Sequence, residues 1–179
     1  MTKFAKISMA AAAVVGATLF ATSAFAVDGT ITITGKVEDA SCNVTVAGNA
    51  SGNNLPLPTV FKSALASDGA TAGATGFQFN LSGCPVTGAV LAYFESTNVD
   101  PSTGFLKNNA AAPAQNVQVQ ILDATGRAID LRDNTNNDGI TLDASGTATL
   151  DYSAQYITTG GAAGGGDVET QLVYTMQYK

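Results

Sequence analysis

The chain has 179 residues, of which 45% are hydrophobic and 12% are charged, and its formal net charge at pH 7 is −6. This length fits one domain with a core of its own. An acidic chain without a single histidine is a poor candidate for binding nucleic acid or anionic lipid, and it lacks the usual general base of a hydrolase.

Residues 1–26 have the features of a secretory signal peptide. Lys3 and Lys6 give a basic start, residues 7–20 are apolar and rich in alanine, and Ala24-Phe25-Ala26 fits the small-x-small cleavage rule. A membrane anchor is the alternative, but serines and threonines interrupt the segment and no basic stop-transfer residues follow it. We expect export through the periplasm and cleavage after residue 26. The leader takes two of the eight basic residues and none of the fourteen acidic ones, so the mature net charge is −8.

The mature chain shows hydrophobic alternation with period two, which is typical of strands. The alternating segments are residues 29–37, 40–47, 76–83, 89–95, 117–123, 140–142, 147–156 and 168–178. Residues 55–61 carry Pro56 and Pro58 and suit an edge or a strap. Residues 63–73 suit a single helical turn, and the Gly/Ala-rich residues 160–166 suit a mobile loop. Many short strands at this spacing predict an all-β, antiparallel sandwich.

Both cysteines, Cys42 and Cys84, lie in the mature part. In an exported protein without other thiols, an intramolecular disulfide is the default. Metal ligation and a nucleophilic thiol are the rival interpretations, and both need partner side chains. A disulfide closing this loop stabilises the fold by roughly 4 kcal/mol in the chain-entropy model.

We find no motif for catalysis or for a cofactor. The Gly-x-Ser-x-Gly turn of many hydrolases does not occur in the sequence. Residues 134–139, NTNNDG, faintly resemble a calcium loop, but Ser145 occupies the position of the bidentate glutamate. We therefore expect no enzyme, no cofactor and no metal site.

In order and spacing, the mature segments resemble the subunits of chaperone–usher pili, the type 1 fimbrial protein family, and in particular a major subunit. The resemblance rests on GTITITGKV at 29–37 before DASCNV at 39–44, FQFNLSGCP at 77–85, VQVQILD at 117–123, YSAQY at 152–156 and a penultimate Tyr178. Gly166 is the fourteenth residue counted back from Lys179, where the family keeps a glycine.

The resemblance implies an incomplete immunoglobulin-like antiparallel sandwich that lacks its last strand. The groove left open is filled first by a periplasmic chaperone and then by the N-terminal extension of the next subunit, in donor-strand exchange. Residues 27–37 would be that extension and residues 38–179 the pilin domain. The implied partners are identical or related pilins, the chaperone and an outer-membrane usher, and the product is a surface fimbria that supports cell adhesion.

Two sets of residues would meet in such an assembly. The donor residues, which face into the groove, are Gly29, Ile31, Ile33, Gly35 and Val37. The acceptor and chaperone-binding strand contributes Thr170, Leu172, Tyr174, Met176, Tyr178 and Lys179. A pocket too shallow for a side chain explains a glycine at position 35 of the donor.

A second interpretation is a secreted, closed β-sandwich that binds carbohydrate or a host surface, with residues 29–37 as an ordinary first strand. The alternation alone does not separate these two interpretations, and the resemblance favours the donor strand. An enzyme is the third interpretation, and it would need a converging polar pocket.

Overall fold

A computed structural model of the protein describes residues 42–48, 50, 53–84 and 88–178, all within the compact unit Glu38–Lys179. The expected signal peptide, the expected donor residues 29–37 and Lys179 lie outside the described residues. No helix in the described ranges is long and apolar enough to cross a membrane.

In the described part of the chain, seven strands form two antiparallel sheets. The strands are β1 (Asn43–Gly48), β2 (Thr71–Ser82), β3 (Ala89–Phe94), β4 (Val117–Leu122), β5 (Ile140–Thr141), β6 (Ala148–Thr158) and β7 (Tyr174–Tyr178). One sheet has the order β1-β2-β6-β4 and the other the order β5-β3-β7. Two short 3-10 helices, Lys62–Leu65 and Ser96–Asn98, lie in the connections. The all-β antiparallel prediction is confirmed, and the helical turn falls where residues 63–73 were expected to place it.

The core follows from the alternation along each strand, because every second side chain points between the sheets. These buried residues are Phe77, Phe79 and Leu81 in β2, Val90, Ala92 and Phe94 in β3, Val117, Val119 and Ile121 in β4, and Leu150, Tyr152 and Ala154 in β6. The ring of Tyr152 meets those of Phe79 and Phe94 edge-on, with centroids 5.9 and 5.1 Å apart. Aromatic packing therefore joins the two sheets.

The outer edge of β4 is covered by the protein's own loops. Leu106 and Val119 exchange two backbone hydrogen bonds of 2.9 and 3.1 Å, and Ile129 N donates to Ile121 O at 2.9 Å. An exposed edge here would offer a template for association with other chains. The loops remove that template.

Asparagine side chains cover the edge of β3 beyond the short strand β5. Asn134 Oδ1 accepts a hydrogen bond from Phe94 N at 2.8 Å, and its Nδ2 donates to Phe94 O at 2.9 Å. Asn137 Nδ2 donates to Ala92 O at 2.7 Å. The segment with a faint resemblance to a calcium loop thus binds the backbone of β3.

The Gly/Ala-rich residues 160–166 differ from the mobile loop that their composition suggests, because they are hydrogen-bonded to the domain. The N–H groups of Gly160, Ala163 and Gly164 donate to Asp68 Oδ1, Leu65 O and Gln115 O at 2.7, 2.9 and 3.0 Å. Gly166 has φ +154°, and a Cβ there would lie 2.5 Å from Ala114 N. The close approach of the two backbones therefore requires glycine at this position.

The carboxylate of Asp123 holds the turn that follows β4. It accepts hydrogen bonds from the N–H groups of Thr125 and Arg127 at 2.9 and 2.8 Å and from Arg127 Nε at 2.7 Å. Burial by itself raises the pKa of Asp123, but hydrogen bonds to the charged form outweigh it and lower the pKa to about 2. The ionised carboxylate therefore stabilises the folded protein.

Because the pKa of Asp123 is low, the free energy of unfolding depends on pH in the acid range. An ordinary aspartate has a pKa of 3.8, so the contribution is complete above about pH 5 and is lost as the pH falls through 4 towards 2. We expect Asp123→Asn to lower the free energy of unfolding at pH 6 by about 1–2 kcal/mol and to flatten its decline below pH 4. Urea unfolding at a series of pH values measures both effects. Asp151→Asn, at an exposed position on β6, is the control, and an unchanged acid decline in Asp123→Asn would contradict the assignment.

Candidate functional site

An apolar groove of about 450 Å³ lies between the sheets, beside the last strand. Its floor consists of core residues from β2, β4, β6 and the loop before β4. These are Phe77, Phe79, Leu106, Val119, Ile121 and Ala154. The groove is thus an opening into the hydrophobic core itself, which gives it affinity for apolar side chains.

Two extended segments form the walls of the groove. One wall contains Val46 of β1 and the following strap, with Leu55 and Leu57. The other wall is residues 170–174, which lead into β7. Leu55 and Leu57 alternate with Pro56 and Pro58, so that the two leucines lie on the groove side and the two prolines are exposed. These four residues belong to the strap expected from the sequence.

The strand β7 pairs with β3 along one of its edges. The register places Tyr174 opposite Phe94 and Met176 opposite Ala92, and Glu95 N donates to Val173 O at 2.8 Å. In an antiparallel pair, hydrogen-bonded and non-hydrogen-bonded positions alternate. The backbone groups of Tyr174 and Met176 therefore point away from β3. On that outer edge, β7 has no partner strand among the strands that the structure describes.

The side chains of the last strand divide into two faces. Leu172, Tyr174, Met176 and Tyr178 are half-buried and pack against the core, whereas Val173, Thr175 and Gln177 are exposed. The rings of Tyr174 and Phe79 lie 4.5 Å apart, measured between centroids. Thr170 lines the groove with Leu172 and Tyr174. The structure thus brings the described residues of the expected acceptor set onto one face, and their role as acceptors stays a prediction.

A disulfide joins the start of β1 to the end of β2. Cys42 and Cys84 are bonded to each other, which confirms the expected pairing. The hydroxyl of Tyr178 accepts a hydrogen bond from Cys42 N at 3.3 Å. The end of β7 is therefore tied across the sandwich to the covalently fixed corner between β1 and β2.

The described residues that line the groove are mainly apolar. Within the described ranges, no group of three or more Cys, Asp or Glu side chains is placed to hold a metal ion. The pKa of Tyr152 is raised to about 12 by burial, and its hydroxyl donates to Asn137 Oδ1 at 2.9 Å. This tyrosine is a neutral, hydrogen-bonded member of the core at neutral pH.

The sequence did not single out the residues that form the floor of the groove. The floor residues read as ordinary core, because alternation shows that a side chain is buried and not where the covering layer is missing. The strap was expected from its prolines, but its place as a wall depends on contacts between distant parts of the chain.

An antiparallel sandwich with an uncovered strand edge above an apolar groove is an incomplete immunoglobulin-like domain. The same fold occurs in a solved chaperone–usher pilus, whose subunit matches with a TM-score of 0.60 at 20% identity over 84% of this chain and 95% of that chain. This likeness shows the fold of the chain, an incomplete immunoglobulin-like sandwich.

Sequence comparison identifies the family. Residues 57–179 match the family described as Type-1 fimbrial protein, A. The major fimbrial subunit SMF-1 of Stenotrophomonas maltophilia (strain K279a) is 40% identical over 164 residues, covering 87% of this chain and 95% of that protein. The F17 fimbrial protein of Escherichia coli is 43% identical over 163 residues, covering 86% and 89%. The chain belongs to the type-1 fimbrial protein family: it is a structural fimbrial subunit, exported to the cell surface.

We expect the disulfide to be necessary for a well-formed groove. It fixes the corner between β1 and β2, and Tyr178 is hydrogen-bonded to that corner. Replacing both Cys42 and Cys84 by Ser should lower the free energy of unfolding by roughly 2–4 kcal/mol, because the unfolded chain regains the freedom of a closed loop. Urea unfolding of the purified subunit measures the loss. The wild-type subunit treated with reductant is the matched comparison, and equal unfolding midpoints in all three samples would contradict the prediction.

Proposed function

We propose that this fimbrial subunit polymerises by donor-strand exchange, with residues 29–37 of one copy lying in the groove of the next. The observation that carries the proposal is the combination of an apolar groove with an outer edge of β7 that lacks a partner strand in the described part of the chain. An extended segment with alternating apolar residues satisfies both requirements at once. Its backbone pairs with the edge, and its side chains enter the groove.

The dimensions of the donor suit this role. Nine residues in extended conformation span roughly 30 Å at about 3.3 Å per residue, which is the length of an extended edge over the nine residues 168–176. Burial of Ile31, Ile33 and Val37 supplies roughly 5–8 kcal/mol. Each new backbone hydrogen bond adds about 1 kcal/mol net. Together these terms favour a joint that dissociates slowly.

The same groove accounts for the proposed assembly partners. A subunit with an open groove exposes apolar core and backbone edge groups, which is an aggregation hazard. We propose that a periplasmic chaperone covers Thr170, Leu172, Tyr174, Met176, Tyr178 and Lys179 until an outer-membrane usher brings the next subunit. Identical or related pilins are then the permanent partners, and the resulting fimbria supports cell adhesion.

The alternative, a secreted closed sandwich that binds carbohydrate or a host surface, requires residues 29–37 to occupy the groove of their own chain. That arrangement yields a monomer, whereas donor-strand exchange yields a polymer. Removing residues 29–37 also distinguishes the two functions. A closed sandwich would lose part of its own core, whereas a polymer would lose the contact between neighbouring subunits.

The deletion test compares the full chain with a chain lacking residues 27–36, each produced with its chaperone and usher. We expect the full chain to give a ladder of detergent-resistant multimers that collapses on boiling, because each joint is a non-covalent but deeply buried strand. The deletion should abolish the ladder. Gel electrophoresis of unheated and boiled surface material measures this. A single monomer band from the full chain would instead support the closed binding module.

A finer test uses two neighbouring donor positions. Gly35 faces the groove in the proposed register and Thr34 faces away. We expect Gly35→Leu to abolish or strongly reduce the multimers through a clash with the groove, while Thr34→Leu leaves them nearly unchanged. The ratio of multimer to monomer on unheated gels gives the result. Equal behaviour of the two variants would contradict the proposed register.

A further inference from the structure

The proposed acceptor edge, formed by β7 and the residues before it, extends beyond the end of β3, the strand that pairs with β7. β3 ends at Phe94 and the chain turns into the helix Ser96–Asn98, whereas the segment paired with β3 continues upstream of Tyr174. Residues 167–172 therefore lie beyond the ladder with β3, yet residues 170–172 line the groove. Backbone bonds with Ala112 and Ala114 hold only the start of this segment, at Asp167. Another set of groups must keep this half of the wall extended.

Asn98 and Asn109 form the first point of attachment. Asn98 Nδ2 lies 2.7 Å from Thr170 Oγ1 and 3.4 Å from Gln171 O and donates to both. Asn109 Nδ2 donates to Asn98 Oδ1 at 2.6 Å, which fixes the orientation of the Asn98 amide. The backbone of Asn109 adds a second contact, because its N–H donates to Glu169 O at 2.8 Å.

Asn108 forms the second point of attachment, and it does so as both donor and acceptor. Its Nδ2 donates to Asp167 O at 2.9 Å and to Ala114 O at 3.4 Å. Its Oδ1 accepts from Glu169 N at 3.1 Å and from Ala110 N at 3.2 Å. One amide side chain therefore occupies the place that a neighbouring strand would take.

All these contacts fall on one side of the segment. The backbone groups that are held belong to Asp167, Glu169, Gln171 and Val173, which are alternate residues. In extended chain the backbone groups of the intervening residues point to the opposite side. Thr170 and Leu172 therefore present their N–H and C=O groups in the same direction as Tyr174 and Met176.

We propose that Asn98, Asn108 and Asn109, which we call the asparagine clamp, are positioning residues for strand acceptance. The clamp replaces β3 beyond its end and holds residues 167–173 extended, so that one continuous edge runs from Val168 to Met176. The incoming strand then pairs with the clamped half as well as with β7. This inference rests on the proposed donor-strand exchange and adds to it the groups that align half of the joint.

The amide chemistry of the clamp suggests a conservative test. Asn108→Asp keeps the shape and the Oδ1 acceptor but removes the donor to Asp167 O, and it places a carboxylate against that carbonyl. Asn98→Ala removes the contacts with Thr170 and Gln171. The matched control is Asn80→Asp on β2, since Asn80 Oδ1 accepts from Thr149 Oγ1 on another part of the domain.

Hydrogen–deuterium exchange of assembled fimbriae, read by mass spectrometry on peptic peptides, tests the clamp. We compare the wild-type chain with Asn108→Asp, Asn98→Ala and Asn80→Asp. In the two clamp variants, we expect amides of residues 168–173 to exchange about fivefold faster, the factor for the loss of one hydrogen bond worth about 1 kcal/mol net. Amides of residues 174–178 should keep their wild-type rates, because β3 still supports them. The control should match wild type in both segments.

Two outcomes would overturn the clamp while leaving donor-strand exchange intact. These are wild-type exchange throughout in both clamp variants, and an equal rise in residues 168–173 and 174–178, which indicates general loss of stability. The chain lacking residues 27–36 tests the underlying proposal separately. If residues 168–178 of that monomer are as protected as in wild-type fimbriae, no donor covers the edge, and both proposals fail.

Discussion

The central physical constraint on this fold is that the backbone N–H and C=O groups on the outer edge of β7 need hydrogen-bond partners. Two other edges are covered within the described part of the chain: Leu106 and Ile129 bond to β4, and Asn134 bonds to β3. The outer edge of β7 has no partner strand among the strands that the structure describes. An uncovered edge above an apolar groove is unfavourable in water. Completing it and joining two subunits become the same physical event in donor-strand exchange.

The domain keeps its groove open because other contacts hold the walls apart and in place. The disulfide Cys42–Cys84 fixes the corner between β1 and β2, and Tyr178 binds that corner from the last strand. The core aromatic rings around Tyr152 join the two sheets at the other side of the groove floor. A fimbrial subunit thus needs a rigid frame around an incomplete core. In the proposed donor-strand exchange, this frame supplies the preorganisation with which a short strand can bind tightly.

The strands and their faces were predictable from the sequence because alternation reports directly on burial. Phe77 and Phe79 in β2 and Val90 in β3 lie on the predicted faces and are almost fully buried. The start of the last strand was less predictable: alternation begins near Val168, but the ladder with β3 begins at Tyr174. Side-chain alternation extends wherever the chain is extended, whereas a ladder also needs a partner, and β3 ends at Phe94.

The sequence by itself determined the all-β class, the pairing of two cysteines in an exported chain, and the two alternating segments whose partnership defines the proposed assembly. These follow from local patterns and from a count of reactive groups. Only the tertiary structure decided that β7 has no partner strand on its outer edge among the described strands, which core residues form the floor of the groove, and that Asn98, Asn108 and Asn109 hold residues 167–173. The last of these depends on groups about 60 to 75 residues apart meeting in space, for which an asparagine in a loop carries no distinguishing local pattern.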